Sequence, residues 1–301
     1  MMKEFKSGFV SIIGRPNVGK STLMNCLIGE KIAIISNKPQ TTRNKITTIL
    51  TKDEMQVVFI DTPGLHDPNS KLGNYMVKAV ETSLNEVDIV LYLVEPYEKI
   101  NNNDLKIIER LQRVKSKVFL VINKIDEFPK EKILQVIEEY NKLYEFTEII
   151  PISAKNATNT EILLTNLKNH LPIGPQYFPE DMITDQPEKQ IVAEIIREKA
   201  LRLLNAEVPH GIACEVMSMK KREDKNLVDI EATIYCEREN HKGIVIGKGG
   251  EKLKDIGRRS REDIERLLGS PVNLKTWVKV KKDWRDSDFL LRSFGYDNKK
   301  L

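Results

Sequence analysis

The stretch Gly14-Arg15-Pro16-Asn17-Val18-Gly19-Lys20-Ser21 decides the fold of the first half of this chain. It has the form GxxxxGK[ST] and lies between an aliphatic run, residues 9–13, and a helical pattern that begins at Lys20. Glycines at such a loop let successive backbone N–H groups turn toward an anion, and the N-terminus of the following helix adds a favourable dipole. The motif predicts a loop that holds the phosphates of a nucleoside triphosphate, with Lys20 on the outer phosphates and Ser21 on Mg²⁺.

Aliphatic runs and helical patterns alternate through the first 170 residues, outward from this loop. The runs cover residues 9–13, 32–35, 46–50, 55–60, 88–94, 118–122 and 149–152. The helical patterns cover residues 20–28, 72–85, 103–113, 130–144 and 161–170. Runs this apolar are typical of strands covered on both faces. Their alternation with helices predicts an α/β domain with a mostly parallel sheet and right-handed crossovers.

Ligands of such sheets bind at the carboxyl ends of the strands, and a base-recognition motif stands at one of them. Asn123-Lys124-Ile125-Asp126 follows the run 118–122. The Asp126 carboxylate can accept from the ring N–H and the exocyclic amine of guanine, whereas adenine presents an unprotonated ring nitrogen there, which favours GTP over ATP. We expect Asn123 to brace the phosphate loop and Lys124 to lie along the base. The predicted guanine-binding residues are Asn123, Lys124, Asp126, Ser153, Ala154 and Lys155.

Asp61-Thr62-Pro63-Gly64 follows the run 55–60 and predicts a second set of phosphate and metal contacts. Asp61 stands where a carboxylate usually reaches Mg²⁺ through water. Gly64 offers a backbone N–H that a terminal phosphate could hold and a diphosphate could not, which is the physical basis of a switch. Upstream, a threonine of the polar loop 36–45 could complete the metal shell; we choose Thr42 over Thr41, although spacing does not separate the neighbours. The predicted metal ligands are Ser21, Thr42 and Asp61.

Leu65 follows Gly64 at the position where many GTPases place a glutamine that orients the attacking water. We therefore expect slow intrinsic hydrolysis unless a cation, a partner or a rearranged loop supplies the missing stabilisation. The Asn17 amide oxygen could help hold a monovalent cation beside the phosphates, and a turn-forming Asn after Pro16 fits the spacing equally well. The predicted catalytic residues are Lys20, Thr42, Gly64 and Asn17. The predicted phosphate contacts are Gly14, Arg15, Pro16, Asn17, Val18, Gly19, Lys20, Ser21, Asp61, Thr62, Pro63, Gly64 and Leu65.

Length, charge and cysteine usage limit the class of protein. The 301 residues predict two domains, and 40% hydrophobic residues suffice for a buried core. No aliphatic run approaches the roughly 18 apolar residues that a membrane span needs, and the N-terminus does not read as a secretory signal, so we expect a cytosolic protein. Three cysteines and four histidines without paired spacing indicate neither a disulfide framework nor a zinc site.

Beyond residue 172 the pattern changes. Four prolines in 172–187 predict a linker. It precedes a helix (188–205), strands (211–220 and 227–237), a short helical piece, a helix (251–268) and a strand (272–280). This α+β order predicts a second domain over 189–283, distinct from the first. We therefore divide the chain into a GTPase-type domain over 1–172, a linker over 173–188, the second domain and a tail over 284–301. We expect the tail to dock on its own domain, with a contact to membrane or ribosome as the alternative.

The second domain contains a GxxG loop, Gly247-Lys248-Gly249-Gly250, between two helical stretches. A loop without side chains at its ends lets a sugar-phosphate backbone approach closely, as in KH domains. The following helix carries basic residues at i, i+4 and i+7, and residues 241–301 hold 16 Lys+Arg against 9 Asp+Glu. An ordinary solvated helix face is the alternative. The predicted RNA-binding residues are Ile246, Gly247, Lys248, Gly249, Gly250, Lys254, Arg258 and Arg261.

Together, the nucleotide motifs and the single C-terminal GxxG domain closely resemble the Era family of bacterial GTPases. The resemblance covers nearly the whole chain and implies a Ras-like P-loop domain joined to a type II KH domain. It also implies GTP hydrolysis with Mg²⁺ and, through Asn17, K⁺; binding near the 3′ end of small-subunit (16S) ribosomal RNA; a role in maturing the 30S subunit; and peripheral association with the inner membrane. We expect a monomer without a DNA partner. The alternative is a membrane-associated cell-cycle signalling GTPase whose C-terminal domain binds protein.

Overall fold

Six strands of the first half form one sheet, and from one edge to the other they are the second, third, first, fourth, fifth and sixth strands along the chain. The computed structural model describes residues 4–36, 38, 41–64, 70–96 and 100–298. The strands are β1 (Lys6–Gly14), β2 (Ile46–Lys52), β3 (Met55–Asp61), β4 (Ile89–Val94), β5 (Lys117–Ile122) and β6 (Glu148–Pro151). All neighbours run parallel except β2, which pairs antiparallel with β3. The predicted mostly parallel sheet is confirmed, and its carboxyl ends gather the motif residues at one edge.

Helices cover both faces of this sheet. They are α1 (Lys20–Ile28), α2 (Lys71–Asn85), α3 (Asn102–Leu111), α4 (Lys130–Asn141) and α5 (Thr160–His170). One core lies on the α1 and α5 face, where Leu23 and Leu163 are fully buried among the strands. The other lies on the α3 and α4 face, around Tyr92 and Ile107. Because both faces are covered, β3 and β4 are buried along their whole length, which explains their continuous apolar sequences.

The second half forms a three-stranded sheet with helices on one face. Its elements are α6 (Glu188–Leu203), β7 (Ala213–Lys221), β8 (Val228–Cys236), α7 (Glu239–Ile246), α8 (Glu251–Leu268) and β9 (Val272–Val280). The strand order is β7-β8-β9, antiparallel and then parallel. The alternate residues Ile230, Ala232 and Ile234 of β8 pack against Ile256 and Ile264 of α8. This is the αββααβ order of the predicted α+β domain.

The predicted strand over 32–35 is wrong. The structure shows an irregular segment there, although Ile32, Ala33 and Ile34 are buried. The Asn25 side chain accepts from the backbone N–H of Ile32 and Ala33 and donates to the Ala33 carbonyl at 2.7 Å. A buried backbone needs hydrogen-bond partners, and here one side chain of α1 supplies them instead of a neighbouring strand. The run 32–35 is apolar because most of it is buried, and it does not pair in a sheet.

The proline-rich segment 173–187 is tightly attached to the first domain. The Ile49 N–H of β2 donates to the Ile183 carbonyl at 2.9 Å, and Thr184 forms an antiparallel bridge with Thr48. The Gln56 side chain accepts from the N–H of Tyr177 at 2.7 Å. The segment therefore covers the outer edge of β2, which would otherwise present unpaired backbone groups.

The C-terminal tail contacts both domains. Its short helix α9 (Asp288–Ser293) follows Trp284, which is fully buried. Phe294 packs on both Trp284 and Tyr235 of the second sheet, and Tyr296 packs on Tyr75 of α2. The tail docks on its own domain, and it also docks on a helix of the first domain. In the part of the chain that the structure describes, no helix is long and apolar enough to cross a membrane.

Candidate nucleotide and RNA sites

The glycine-rich loop surrounds the ammonium group of Lys20 at the end of β1. Lys20 Nζ donates to the carbonyls of Gly14 and Arg15 at 3.1 and 2.9 Å. The side chain is buried, and this burial lowers its pKa to about 8, against the opposing effect of Asp61. Gly19 precedes α1 with φ +99°, a conformation that an L side chain rarely adopts. The loop therefore points its backbone and one cation into the same cleft of about 370 Å³.

Asn123 joins this loop to two other strand ends. Its Nδ2 donates to the Val18 carbonyl at 2.8 Å, and its Oδ1 accepts from the Ala154 N–H at 2.9 Å. A Cβ on Gly19 would lie 2.2 Å from Asn123 Nδ2, so only glycine leaves room for this bond. The backbone N–H of Ala154, one of the predicted guanine-binding residues, is thereby engaged with Asn123. Asn123 connects the phosphate end of the cleft to its base end.

Lys124 and Asp126 line the base end of the cleft together with Lys155. Lys124 has φ +64° and forms an ion pair with Glu95. Glu95 is 5% exposed, and its Oε1 has no hydrogen-bond partner among the described residues. Sequence reasoning missed Glu95, although it stands directly after β4, where the same rule that found Asp61 would have placed it. The ion pair fixes the Lys124 side chain at the edge of the cleft.

Three oxygens meet beside the loop where the sequence predicted Mg²⁺. Ser21 Oγ lies 3.0 Å from Thr42 Oγ1 and donates to Asp61 Oδ2 at 2.9 Å, and Thr42 donates to the same oxygen at 3.3 Å. Burial raises the pKa of Asp61 to about 6, although Lys20 and these hydroxyls oppose the shift. Asp61 Oδ1 is buried with no hydrogen-bond partner among the described residues. Hard oxygen donors and an unsatisfied carboxylate oxygen fit Mg²⁺.

The geometry separates the two threonines that spacing could not. The Thr41 hydroxyl donates to the carbonyls of Ser36 and Lys38, away from the carboxylate. Thr42 alone of the two points at Ser21 and Asp61. Gly64 lies against the phosphate loop: a Cβ at Gly64 would be 2.9 Å from the Pro16 nitrogen.

Four other predicted phosphate contacts, Arg15, Asn17, Thr62 and Leu65, do not share one position relative to the cleft. Arg15 directs its side chain to Asp104 of α3, with Nε 3.3 Å from Oδ1, while its backbone carbonyl accepts from Lys20. Asn17 lines the cleft with φ +67°. Thr62 donates to the Ile12 carbonyl at 2.9 Å and joins β3 to β1. Leu65 lies outside the described residues.

The GxxG loop stands at the mouth of a groove in the second domain. Gly247, Gly249 and Gly250 have φ values of +75°, +60° and +82°. The groove, of about 690 Å³, runs between α8 and β9. Its lining includes Lys254, Arg258, Arg261, Leu253, Leu274 and Thr276. The structure thus brings the three predicted basic residues to one groove with an aliphatic floor.

The basic side chains of this groove are partly neutralised. Arg258 pairs with Asp255 at 2.8 Å and with Glu262 at 3.0 Å. Arg261 Nε lies 3.8 Å from Glu265. All these pairs are solvent-exposed, so they are weak and can be exchanged for phosphate oxygens.

Comparison with known proteins places both sites in one family. Residues 9–124 match the family described as "50S ribosome-binding GTPase", and residues 207–285 match "KH domain". GTPase Era of Clostridium kluyveri is 57% identical over 97% of this chain and 99% of its own length, and GTPase Era of Clostridioides difficile is 55% identical over 98% and 100%. The chain belongs to the Era family of GTPases.

Two solved Era structures share this architecture. One is a crystal structure of Era in complex with MgGDPNP and nucleotides 1506–1542 of 16S ribosomal RNA; it has a TM-score of 0.94 and 42% identity, and the match covers 97% of this chain and 99% of that one. The other, a variant of Aquifex aeolicus Era bound to GDP·AlF4⁻, has the same TM-score and identity over 97% and 100%. The likeness extends over both domains, so it confirms the Ras-like domain joined to a KH domain.

In this Era-family chain, sequence reasoning missed the residues that join the two domains. Arg43 is 1% exposed and donates to two carbonyls of the second domain. Burial lowers its pKa, and the nearby Arg197 adds to that effect. Its only sequence signal was its place beside Thr42. A basic residue in a polar loop is typical of solvent exposure, and nothing in the pattern predicts its insertion into another domain.

Proposed function

We propose that this chain is a GTP-binding and GTP-hydrolysing switch that binds the 3′ region of small-subunit ribosomal RNA and assists maturation of the 30S subunit. The observation that carries the proposal is the meeting of Lys20, Ser21, Thr42 and Asp61 in one cleft. The relatives support it, because a crystal structure of Era holds both MgGDPNP and a 16S ribosomal RNA fragment.

In the proposed nucleotide complex, the Asp126 carboxylate selects guanine by accepting from the ring N–H and the exocyclic amine of the base. Lys124 lies along the base. The loop Gly14–Ser21 holds the phosphates by its backbone, and Lys20 exchanges its two carbonyl acceptors for phosphate oxygens. Ser21, Thr42 and Asp61 would hold Mg²⁺, which neutralises the charge that develops on the phosphates. The Gly64 N–H contacts the terminal phosphate, so GTP and GDP leave Thr42 and Gly64 with different partners.

In the proposed RNA complex, the glycines of the GxxG loop let the sugar-phosphate backbone approach, and bases lie between α8 and β9. Lys254, Arg258 and Arg261 contact phosphates along the groove. Such contacts release counterions and make the affinity salt-dependent. We propose that the GTP state favours RNA entry and that hydrolysis releases the RNA. A nucleotide shifts this equilibrium only through a difference in affinity between the two states.

The experiment that tests this function measures binding of a single-stranded RNA from the 3′ end of small-subunit ribosomal RNA. It compares GDP with a non-hydrolysable GTP analogue at two salt concentrations. We expect tighter, salt-dependent binding with the analogue and loss of binding in the double variant Gly247→Asp/Gly249→Asp. Equal affinity in both nucleotide states would contradict the switch. No RNA binding in either state would favour a signalling GTPase whose second domain binds protein.

The finer parts of the proposal concern K⁺, location and assembly state. We propose that Asn17 helps bind K⁺ beside the phosphates, that the chain acts as a monomer in the cytoplasm, and that it associates peripherally with the inner membrane. GTP hydrolysis in KCl against NaCl tests the first, with Asn17→Ala expected to remove any difference. Sedimentation of the purified chain, alone and with vesicles containing anionic lipid, tests the assembly state and the membrane contact.

A further inference from the structure

The second domain holds the residues on both sides of Thr42. Arg197 of α6 donates through Nη2 to the Thr41 carbonyl. Arg43 donates through Nη1 to the Ile212 carbonyl at 2.6 Å and through Nη2 to the His210 carbonyl at 2.9 Å. Thr42 itself turns the other way, toward Ser21 and Asp61. One residue therefore faces the nucleotide cleft while both of its neighbours are bound to the KH domain.

The Arg43 contact is sensitive to how the domains dock. Its guanidinium lies 5.5 Å from the centroid of the buried Trp284 ring. Among the described residues no carboxylate lies within ion-pairing distance of it, whereas Arg197 pairs with Glu194 at 2.6 Å. Tyr296 also lies beside this guanidinium, and Arg43 Nε has no hydrogen-bond partner among the described residues. A buried cation without a carboxylate at ion-pairing distance retains little advantage over a hydrated one. The contact is therefore readily exchanged for water when the second domain moves.

Helix α6 also contacts the first domain upstream of Thr42, at Ile35 and Lys31. The Ile35 N–H donates to Glu198 Oε1 at 3.2 Å, and Arg202 donates to the Ile35 carbonyl at 2.8 Å. Lys31 pairs with Glu198 at 2.7 Å and with Asp263 of α8 at 2.6 Å. Helix α6 thus contacts the described part of the segment 31–43 at both ends. The position of Thr42 depends on α6 as well as on its own domain.

We propose that Arg43 and Arg197 are positioning residues that hold the Thr42 hydroxyl at the nucleotide site from the KH domain. This inference rests on the proposed function, because it makes domain docking the route by which RNA and nucleotide affect each other. When the domains are docked as in this structure, Thr42 is held at the cleft. When the second domain moves, Arg43 is hydrated and Thr42 loses its support.

The alternative is that these arginines only join the two domains. A general loosening of the interface would lower stability and would affect GDP and the GTP analogue alike. A positioning role predicts a selective effect, because GDP has no terminal phosphate and depends less on the loop that carries Thr42. The ratio of the two affinities therefore separates the roles.

The experiment compares Arg43→Met and Arg43→Lys with the wild-type chain. Methionine keeps a long apolar stem and removes the buried charge, while lysine keeps the charge and loses the two-carbonyl geometry. Asp288→Asn is the matched control, because Asp288 contacts Lys71 across the same domain interface, far along the chain from Thr42. Three quantities are measured: amide hydrogen exchange of a peptide spanning residues 41–43 without nucleotide, the affinities for GDP and a non-hydrolysable GTP analogue, and kcat.

For both Arg43 variants we expect faster exchange at residues 41–43 and at least tenfold weaker binding of the GTP analogue, with GDP affinity within about twofold of wild type. We expect kcat to fall about 10- to 100-fold, the scale on which a displacement of about 1 Å acts. Asp288→Asn should leave all three at wild-type values. Wild-type exchange and wild-type affinity ratios in both Arg43 variants would overturn the inference.

Arg197→Lys provides an independent test if an Arg43 variant does not fold. Lysine keeps the ion pair with Glu194 within reach and removes the planar fork that also contacts Thr41. We expect the same selective loss of GTP-analogue affinity. If the wild-type chain neither binds GTP nor hydrolyses it, the proposed function fails. If it does both and the variants match it, only the positioning role fails.

Discussion

Two glycine-containing loops precede helices in this chain, Gly14–Gly19 before α1 and Gly247–Gly250 before α8, and they are packed differently. In the first loop, a Cβ on Gly19 would lie 2.2 Å from Asn123, and a Cβ on Gly14 would lie 2.4 Å from the Leu93 carbonyl. In the second, a Cβ on Gly249 or Gly250 meets nothing within 4 Å. Neighbouring residues of the protein therefore pack closely on the first loop, whereas the second loop has free space at Gly249 and Gly250.

This difference shows why each loop needs glycine. The phosphate loop needs it because a side chain would push apart the strand ends that form the cleft. The GxxG loop needs it for its positive φ values and, in the proposed RNA complex, for the close approach of the sugar-phosphate backbone. A substitution in the first loop should therefore damage the fold and the site together. A substitution at Gly249 or Gly250 should mainly damage binding, whereas a Cβ on Gly247 would lie 2.7 Å from Lys252 Cβ and would also disturb the fold.

The largest expected effect comes from Gly19→Ala. The added methyl group overlaps Asn123 Nδ2, and the φ of +99° is unfavourable for alanine. We expect GTP affinity to fall at least about 100-fold and the free energy of unfolding to fall by about 1–3 kcal/mol. Fluorescent-nucleotide titration and chemical denaturation measure the two.

Gly29→Ala is the matched control for Gly19→Ala. Gly29 has φ +82° at the other end of α1, and a Cβ there meets nothing within 4 Å. It should lose about 1 kcal/mol of stability and keep its GTP affinity. If both variants bound GTP equally well, overlap with Asn123 would not be what makes Gly19 necessary.

The next effect concerns base selection at the nucleotide site. Asp126→Asn replaces a carboxylate that accepts from two guanine donors with an amide that can accept from only one. Hydrogen bonds to charged groups contribute about 1.5–3 kcal/mol each, so the loss of one should lower GTP affinity about 10- to 100-fold. Affinity for xanthosine triphosphate should rise, because xanthine offers a carbonyl that the amide can donate to. Competition binding with both nucleotides checks this.

Glu127→Gln is the neighbouring control for the base-selection experiment, since Glu127 lies beside Asp126 in the same turn. It should stay within about twofold of wild type for both nucleotides. An unchanged preference for GTP in Asp126→Asn would mean that another group selects the base.

The GxxG loop should respond in the opposite way to the phosphate loop. Gly249→Asp adds a carboxylate where phosphates approach, at φ +60° with free space around it. We expect RNA affinity to fall at least about tenfold, the free energy of unfolding to fall by no more than about 1 kcal/mol, and basal GTP hydrolysis to stay at the wild-type rate. RNA binding, denaturation and phosphate release measure the three.

Gly269→Asp is the control for the GxxG loop, because Gly269 has φ +59° and equally free space at the far end of α8. It should bind RNA as the wild type does. Equal RNA binding by Gly249→Asp would remove the GxxG loop from the proposed interface.

The contrast also shows what the sequence could predict. The phosphate loop, α1 and α8 were found with correct helix bounds, because local spacing and periodicity determine them. Ser21 and Asp61 were found because parallel strands bring their carboxyl ends to one edge. Thr42 was chosen from the polar loop before β2, and the structure places it beside them. These features depend on residues that are close in sequence or on a general rule of sheet topology.

The missed features depend on partners far along the chain. Arg43 is buried by carbonyls about 170 residues away, and Lys31 pairs with Asp263. The segment 32–35 is apolar because of tertiary burial, and its backbone is satisfied by Asn25, so its pattern resembled a strand. A polar loop and an apolar run carry no local signal for which distant surface they meet.

The smallest expected effect concerns one charge beside the GxxG loop. Lys254 is exposed on the groove, and each lysine that contacts a phosphate adds about one unit to the slope of log affinity against log salt. We expect Lys254→Gln to weaken RNA binding a few-fold and to lower that slope by about one, without changing GTP affinity. Lys220→Gln, at an exposed position on β7, should change neither. If Lys220→Gln lowered the slope as much as Lys254→Gln, the RNA would be attracted by overall charge, and the groove between α8 and β9 would lose its claim to the phosphate contacts.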